Sequence, residues 1–170
     1  PDILHKTEAG VVRLGLDDAE QVRDAYGEIL ARAAVYAPTA TISGVLVQEM
    51  VGDGHEVLVG VSRDPVFGPV LTVGLGGIYV EILNDVTLRL PPVDRTESLE
   101  MLRELRMYPL LAGARGRAAA DIEALAGCIE RVSWLALELQ DSVVELDLNP
   151  LRVMAEGQGV RVVDALVVLK

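Results

Sequence analysis

The chain has 170 residues, a formal net charge of −11 and a hydrophobic fraction of 51%, enough for one sizeable core or two small subdomains that share a cleft. The acidic balance argues against nucleic acid as a partner, because nucleic acid binding depends on basic groups that neutralise phosphates. No apolar run approaches the roughly 20 residues that span a bilayer, so the sequence also argues against a membrane protein.

The single cysteine, Cys128, excludes an intrachain disulfide and is typical of a reducing compartment. We therefore expect a cytoplasmic location. The sequence begins with Pro1 rather than Met, and we expect it to be a fragment of a longer polypeptide.

In chain order, the first predicted element is an amphipathic helix over residues 19–34. Apolar residues recur there at helical spacing, and Asp17 and Asp18 give the helix a carboxylate-rich start. The pattern then changes to short β-branched runs separated by Gly and Pro, which predict strands joined by tight turns. These predicted strands cover residues 44–51, 56–63, 69–75 and 86–90.

The second half of the chain has two more predicted helices and then returns to strands. Residues 96–106 carry leucines at three-residue steps, and residues 118–139 carry a longer apolar stripe. The closing strands are predicted over residues 143–148, 151–155 and 160–169.

The last predicted hairpin carries oxygen-bearing side chains on otherwise apolar strands. If residues 156–159 form a four-residue turn, Leu151 faces Asp164, and Asn149 is a diagonal neighbour of Asp164 on one face. Asp147 shares that face. Mg²⁺ prefers such hard oxygen ligands and leaves positions for water and phosphate. Spacing alone leaves another interpretation open, a solvated polar face with an Asn-Pro turn.

A second candidate site combines residues 44–51 with Glu56. An apolar strand that leads into an irregular connection offers unpaired backbone groups to an adenine edge, and a carboxylate a few residues later accepts hydrogen bonds from ribose hydroxyls. A plain hairpin with a turn at residues 52–54 explains the same pattern.

A third candidate is the polar loop at residues 5–10. Lys6, Thr7 and Gly10 combine a cation, a hydroxyl and a flexible position, and such loops bind phosphate oxygens. His5, taken alone, is more typical of an exposed loop histidine. The glycine cluster at residues 74–77 fails the dinucleotide fingerprint, because strand-like sequence follows it where a helix is required.

Taken together, the order and spacing of these segments resemble one family, the ATP-grasp module of ADP-forming (NDP-forming) acyl-CoA synthetases, which are relatives of the succinyl-CoA synthetase β subunit. The resemblance covers nearly the whole chain, and residues 64–81 are its most specific part. The segments that carry it are His5-Lys6-Thr7-Glu8-Ala9-Gly10, Val47-Gln48-Glu49-Met50-Val51, Arg63-Asp64-Pro65-Val66-Phe67-Gly68-Pro69, Gly74-Leu75-Gly76-Gly77-Ile78-Tyr79-Val80-Glu81 and Glu145-Leu146-Asp147-Leu148-Asn149-Pro150-Leu151.

The resemblance implies roles for the first loop. His5 matches a histidine that accepts a phosphoryl group on the nucleotide side, which makes it the candidate catalytic residue. The loop that contains Lys6 and Gly10 matches a phosphate-covering segment, although Val11 stands where a second glycine is usual.

The resemblance also implies roles farther along the chain. Glu56 matches a ribose-contacting acid, and Asn149 and Asp164 match two Mg²⁺ ligands. The adenine-binding hinge matches Gln48, Glu49, Met50 and Val51.

The fold implied by the resemblance is an α+β ATP-grasp fold, in which two subdomains with largely antiparallel sheets are flanked by helices. Residues 1–47 would be the remainder of a truncated N-terminal subdomain, and residues 48–170 the C-terminal subdomain.

The implied function is that of an ADP-forming acid–CoA ligase in the parent protein, with Mg²⁺ and ATP or ADP as cofactors. Phosphoryl transfer would pass through phosphohistidine to an acyl phosphate. The implied partners are CoA-binding and ligase domains of the same or a partner chain, and the fragment alone is expected to be inactive. An alternative is a catalytically degraded regulatory module fused to a GNAT-type protein acetyltransferase, which the departure at Val11 slightly favours.

Overall fold

The computed structural model describes Lys6 and residues 9–76, 84–116 and 118–170, with only the backbone of Arg115. Two compact units divide the chain, Pro1–Met50 and Val51–Lys170. Their correspondence to the predicted subdomains, divided after residue 47, stays a prediction. In this described part, no helix is long and apolar enough to cross a membrane.

The first unit is built around helix α1, Ala19–Tyr36, which confirms the predicted helix. The helix begins at Ala19 because the Asp18 side chain accepts hydrogen bonds from the N–H groups of Glu20 and Gln21, at 2.9 and 2.8 Å. Its buried residues are Ala25 and Ala33.

The strand predicted over residues 44–51 is wrong, because the structure has no strand between α1 and His55. Leu46 and Val47 are 80% and 69% exposed. An apolar, β-branched run forms a strand where a half-buried pleated surface receives it, and these side chains have no such surface in the described part of the first unit.

The second unit contains one antiparallel sheet, and the strands predicted over residues 56–63, 69–75 and 86–90 are confirmed to within one residue. Among the described residues the strand order is β3-β2-β1-β4-β5, and β6 also pairs with β4. The strands are β1 His55–Asp64, β2 Gly68–Leu75, β3 Val86–Arg89, β4 Val143–Val153, β5 Val160–Val162 and β6 Ala165–Leu169.

Helices cover one face of this sheet. They are α2 Arg95–Glu104, the short α3 Tyr108–Leu111 with a 3₁₀ turn Ala114–Gly116 after it, and α4 Ile122–Glu138. The prediction started α4 at residue 118, which is wrong, since the side chain of Asp121 accepts a hydrogen bond from the N–H of Ala124 at 3.0 Å and caps the helix there.

A single hydrophobic core lies between the sheet and α2 and α4. Alternate residues of β1, β2 and β4 point into it, as the period of two along a strand requires, while the opposite face of the sheet points away from these helices. The fully buried members include Val57, Val59, Leu71, Val73, Met101, Leu102, Leu125, Ile129, Leu151 and Val153.

The register of the last hairpin differs from the prediction by two residues. Leu151 pairs with Val162, not with Asp164 as expected. The N–H of Met154 donates to the carbonyl of Gly159 at 3.0 Å, so the four-residue turn covers residues 155–158 rather than 156–159. Ala155 pairs instead with Ala120, which precedes α4, in an isolated bridge. The return strand is also interrupted at residues 163–164, which separates β5 from β6.

Candidate functional site

The face of the sheet opposite α2 and α4 collects polar side chains of the second unit. Since strand residues alternate between faces, Glu56 and Gly60 point away from the core. In the pairing of β1 with β4, Glu56 is opposite Arg152 and Gly60 is opposite Asp147. We call the surface defined by these four residues the open face.

A β-bulge lies at Asn149, which shares this face with Asp147 because the two are two residues apart on β4. The ladder between β1 and β4 shifts register by one residue, so that Asn149 and Pro150 together oppose Leu58. Bulges of this kind re-aim side chains. On the other side of β4, the N–H of Asn149 donates to the carbonyl of Asp164 at 3.1 Å. Asn149 and Asp164 are therefore directly opposite each other, where the sequence predicted a diagonal pair.

Asp147 lies two residues before Asn149 on the open face. Its Oδ1 is inaccessible to solvent and has no hydrogen-bond partner among the described residues. A Cβ at Gly60 would stand 3.6 Å from this oxygen, so the glycine leaves the space beside it open. Burial raises the pKa of Asp147, a hydrogen bond from the Asn149 side chain opposes that shift, and the charges of Glu145 and Asp164 add to it.

This arrangement fits a divalent cation. A buried carboxylate oxygen without a partner costs free energy until a donor or a cation meets it. The oxygens of Asp147, Asn149 and Asp164 are hard ligands, and Mg²⁺ is commonly bound by one or two carboxylates together with water and substrate phosphate. Across the described ranges, no three His, Cys, Asp or Glu side chains are grouped to hold a metal by themselves.

An ion pair occupies the other end of the open face. Nη2 of Arg152 lies 2.8 Å from Oε1 of Glu56, and Nη1 of Arg152 donates to the carbonyl of Gly54 at 3.0 Å. The side chains of Arg152 and Glu56 are 29% and 35% exposed. Both remain within reach of a ligand on this face.

The backbone of Glu56 is fixed from the opposite side. The N–H of Gly76 donates to the carbonyl of Glu56 at 2.7 Å. A Cβ at Gly76 would come within 2.9 Å of the Glu56 Cβ and 3.2 Å of the Val57 nitrogen. Only glycine allows this approach without displacing the start of β1.

The residues predicted to form the adenine hinge lie where the two units divide. Gln48, Glu49 and Met50 belong to the first unit and are exposed, whereas Val51 belongs to the second and is half-buried. The prediction that a strand ladder breaks near these residues is wrong, because the structure has no ladder there. Their role in adenine binding stays a prediction.

The predicted phosphate loop is described only in part. His5 lies outside the described residues, as does Thr7. Lys6 is exposed, and its carbonyl accepts a hydrogen bond from the N–H of Val11 at 3.1 Å.

Two guanidinium groups surround Gly10, which has a φ of 64°. Arg13 donates to the Gly10 carbonyl at 3.3 Å, and a Cβ at Gly10 would be 3.0 Å from Nη1 of Arg32. Both arginines pair with Glu28, at 2.6 and 2.7 Å. Hydrogen bonds from Arg13 and then Arg32 hold the pKa of Glu28 at about 2, so a phosphate near Gly10 would compete with an ionised carboxylate for these cations.

Sequence reasoning missed two residues of the open face, Gly60 and Arg152. The signal for Arg152 is the one cation of β4, which follows directly after Asn149-Pro150-Leu151 in a strand whose other polar side chains are acids and an amide. The sequence alone does not show its partner, because only the strand register places Arg152 opposite Glu56.

Comparisons with known proteins bear on the whole chain. Residues 1–169 match the family model described as the ATP-grasp domain. The chain is 46% identical over 170 residues to the beta subunit of the ADP-forming acetate–CoA ligase II of Pyrococcus furiosus, a match that covers all of this chain and 72% of that subunit.

Two solved structures of a dinucleotide-forming acetyl-coenzyme A synthetase 1 from Ca. Korarchaeum cryptofilum share the fold. One, in complex with coenzyme A, Ca-AMPCP and HgCl⁺, has a TM-score of 0.94 at 38% identity over all of this chain and 73% of that one. The other, with coenzyme A and Mg-AMPPCP, has a TM-score of 0.84 at 36% identity over the same shares, and its phosphohistidine segment points towards the nucleotide binding site.

Proposed function

We infer the function of this chain from its family, since it belongs to the ATP-grasp domains and, among them, to the modules of ADP-forming acyl-CoA synthetases. We propose that the open face binds Mg-ATP or Mg-ADP. The observation that carries this proposal is the Oδ1 of Asp147, which is buried, has no hydrogen-bond partner among the described residues and lies beside Asn149 and Asp164.

In this proposal, Asn149 and Asp164 hold the Mg²⁺ ion and Asp147 completes the oxygen cluster. The ion would neutralise the phosphate charge that develops during phosphoryl transfer. The protein residues contribute positioning, because Asn149 follows Asp147 by two residues on β4 and Asp164 lies directly opposite Asn149.

The rest of the nucleotide is assigned to residues named from the sequence. Glu56 accepts hydrogen bonds from ribose hydroxyls, and Lys6 with Gly10 covers the phosphates. The proposed adenine contacts are the backbone groups of Gln48, Glu49, Met50 and Val51.

The proposed reaction is the reversible conversion of acid, CoA and ATP into acyl-CoA, ADP and phosphate. CoA-binding and ligase domains on the same or a partner chain would supply the remaining sites, as the designation of the Pyrococcus furiosus relative as a beta subunit supports. The relatives named above are ligases or synthetases, so they favour this function over the regulatory acetyltransferase alternative. We also propose a cytoplasmic location, where ATP and CoA are available and Cys128 stays reduced.

His5 is proposed as the phosphoryl acceptor. A neutral imidazole nitrogen attacks the γ-phosphorus, the bond to ADP breaks, and the phosphoramidate that forms passes the group onward. Because the chain has two histidines, His55 provides a matched control.

The test incubates the native enzyme with γ-labelled ATP and quenches it in alkali, where phosphohistidine survives. Label is expected on the peptide that contains His5 and should be lost in His5→Ala, while His55→Ala keeps it. Equal labelling and equal turnover in His5→Ala would contradict the relay and leave nucleotide binding on the open face intact.

A further inference from the structure

The strongest unassigned contact on the open face is the bridge made by Arg152. Its guanidinium reaches Glu56 with Nη2 at 2.8 Å and the carbonyl of Gly54 with Nη1 at 3.0 Å. The guanidinium of Arg152, on β4, therefore contacts both the side chain of Glu56 and the backbone of the residue that precedes β1. A guanidinium can hold two acceptors in fixed geometry, which a lysine ammonium cannot reproduce.

The Gly54 contact is a close one. A Cβ at Gly54 would lie 2.8 Å from the carbonyl oxygen of Val153, so the backbone at Gly54 packs directly against the end of β4. Arg152 is the residue before Val153, so its backbone is held in β4 while its guanidinium contacts the carbonyl of Gly54. A carboxylate held by such an anchored cation loses little conformational freedom when it accepts a ligand.

The position of Glu56 on the open face agrees with a ribose contact. Glu56 and Gly60 are four residues apart on β1, which corresponds to about 13 Å along the strand. Gly60 lies opposite Asp147, so the ion pair and the oxygen cluster occupy two ends of one strip. A nucleoside triphosphate extended along this strip places its ribose near Glu56 when its terminal phosphates are near Asp147.

We propose that Arg152 is a positioning residue that sets ribose recognition by Glu56. This inference rests on the proposed nucleotide binding. Arg152 holds Oε1 of Glu56, and a carboxylate retains further acceptor positions when one is paired, so the held carboxylate presents those positions to a ribose hydroxyl. A cross-strand ion pair that served stability alone would leave the recognition of ribose unchanged.

The experiment measures the dissociation constants of ATP and 2′-deoxy-ATP or 3′-deoxy-ATP, with Mg²⁺, for the native enzyme and its variants. For the native enzyme, loss of the contacting hydroxyl should weaken binding by about tenfold, the usual effect of one hydrogen bond to a charged group. We call the dissociation constant of the deoxy-ATP divided by that of ATP the hydroxyl ratio. In Arg152→Gln the hydroxyl ratio should shrink to about threefold or less, because Glu56 is no longer held. Arg152→Lys should give an intermediate ratio.

Arg161 is the matched control. It faces Arg152 from β5 and donates to the carbonyls of its own turn, Gln158 and Val160. Arg161→Gln removes the same charge and should keep the native ratio. Thermal unfolding of each variant identifies losses of nucleotide affinity that come from a destabilised fold. If Arg152→Gln does not fold, the hydroxyl ratio of Arg152→Lys is the test.

Glu56→Gln separates the two ways in which the idea can fail. If Glu56→Gln lowers the hydroxyl ratio and Arg152→Gln does not, the role of Arg152 is wrong and the nucleotide site stands. If neither variant changes the ratio while Mg-ATP still binds, the ribose contact itself is wrong. If no form binds Mg-ATP, the proposed function fails together with the inference.

Discussion

Asp164→Ala is expected to lower kcat/KM for Mg-ATP in the native enzyme by about 100-fold or more, in the range seen when a group that stabilises transferring charge is removed. Asp164 lies opposite Asn149, and its charge contributes to the raised pKa of the Asp147 carboxyl. Its removal should deprive the cation of a carboxylate ligand while the β4 ladder stays intact, since the hydrogen bond between Asn149 and residue 164 uses only backbone atoms. The measurement is turnover as a function of Mg²⁺ concentration, and the half-saturating concentration should rise.

The control for this prediction is Asp141→Ala, which removes an exposed carboxylate from the turn before β4. It should leave the Mg²⁺ dependence unchanged. If the two variants behave alike, Asp164 does not bind the cation.

Asp121→Ala is expected to lower the free energy of unfolding by about 2–4 kcal/mol, the sum of a lost helix cap and a lost hydrogen bond to a buried carboxylate. Asp121 is 8% exposed. Its Oδ1 caps α4 at Ala124, and its Oδ2 accepts from the N–H of Gly159 at 2.8 Å. One side chain therefore connects the start of α4 to the hairpin between β4 and β5. Urea unfolding at pH 7 measures the effect.

The matched control is Asp94→Ala. Asp94 is an exposed cap of α2, and its side chain accepts one backbone hydrogen bond, from the N–H of Glu97 at 2.8 Å, so removal of the side chain should cost only about 1 kcal/mol. Equal losses in the two variants would show that the link to Gly159 contributes nothing.

The pH dependence gives a second readout for Asp121. Hydrogen bonds from the N–H groups of Ala124 and Gly159 lower the pKa of Asp121. A carboxyl group whose pKa is lowered by folding stabilises the fold above its unfolded pKa of about 3.9, and this contribution disappears as the pH falls through the folded pKa. The difference in stability between the native protein and Asp121→Ala should therefore shrink below about pH 4.

Local signals in the sequence were enough to predict most elements of the second unit. Short β-branched runs between Gly and Pro predicted β1 and β2, and helical spacing of apolar residues predicted α1, α2 and α4. These patterns depend on neighbours within a few residues of each other, and the carboxylate before α1 at Asp18 is of the same local kind.

Contacts between distant residues explain what the sequence could not predict. The hairpin register depends on the bridge from Ala155 to Ala120, which no turn rule contains. Asp85 accepts from the N–H groups of Arg106 and Met107, both at 2.9 Å, and fixes the chain after α2 across 21 residues or more. Such pairings are invisible until the fold is known.

The candidate site also contains residues that the sequence predicted and residues that only the structure shows. The family resemblance supplied Glu56, Asn149 and Asp164, because their motifs are local in the chain. The buried oxygen of Asp147, which has no partner in the described part of the chain, and the ion pair of Arg152 follow from the strand register, and only the structure reveals them.

The most direct test of the open face as the nucleotide site is metal-directed cleavage of the native enzyme. Fe²⁺ replaces Mg²⁺ in the presence of ADP, ascorbate and peroxide generate hydroxyl radicals at the metal, and mass spectrometry locates the backbone breaks. We expect cleavage at residues 147–149 and around Asp164 that requires the nucleotide and disappears when excess Mg²⁺ is added. Cleavage confined to other acidic segments, such as Asp17 and Asp18 before α1, or cleavage that does not depend on the nucleotide, would contradict the assignment of Mg-nucleotide binding to this face.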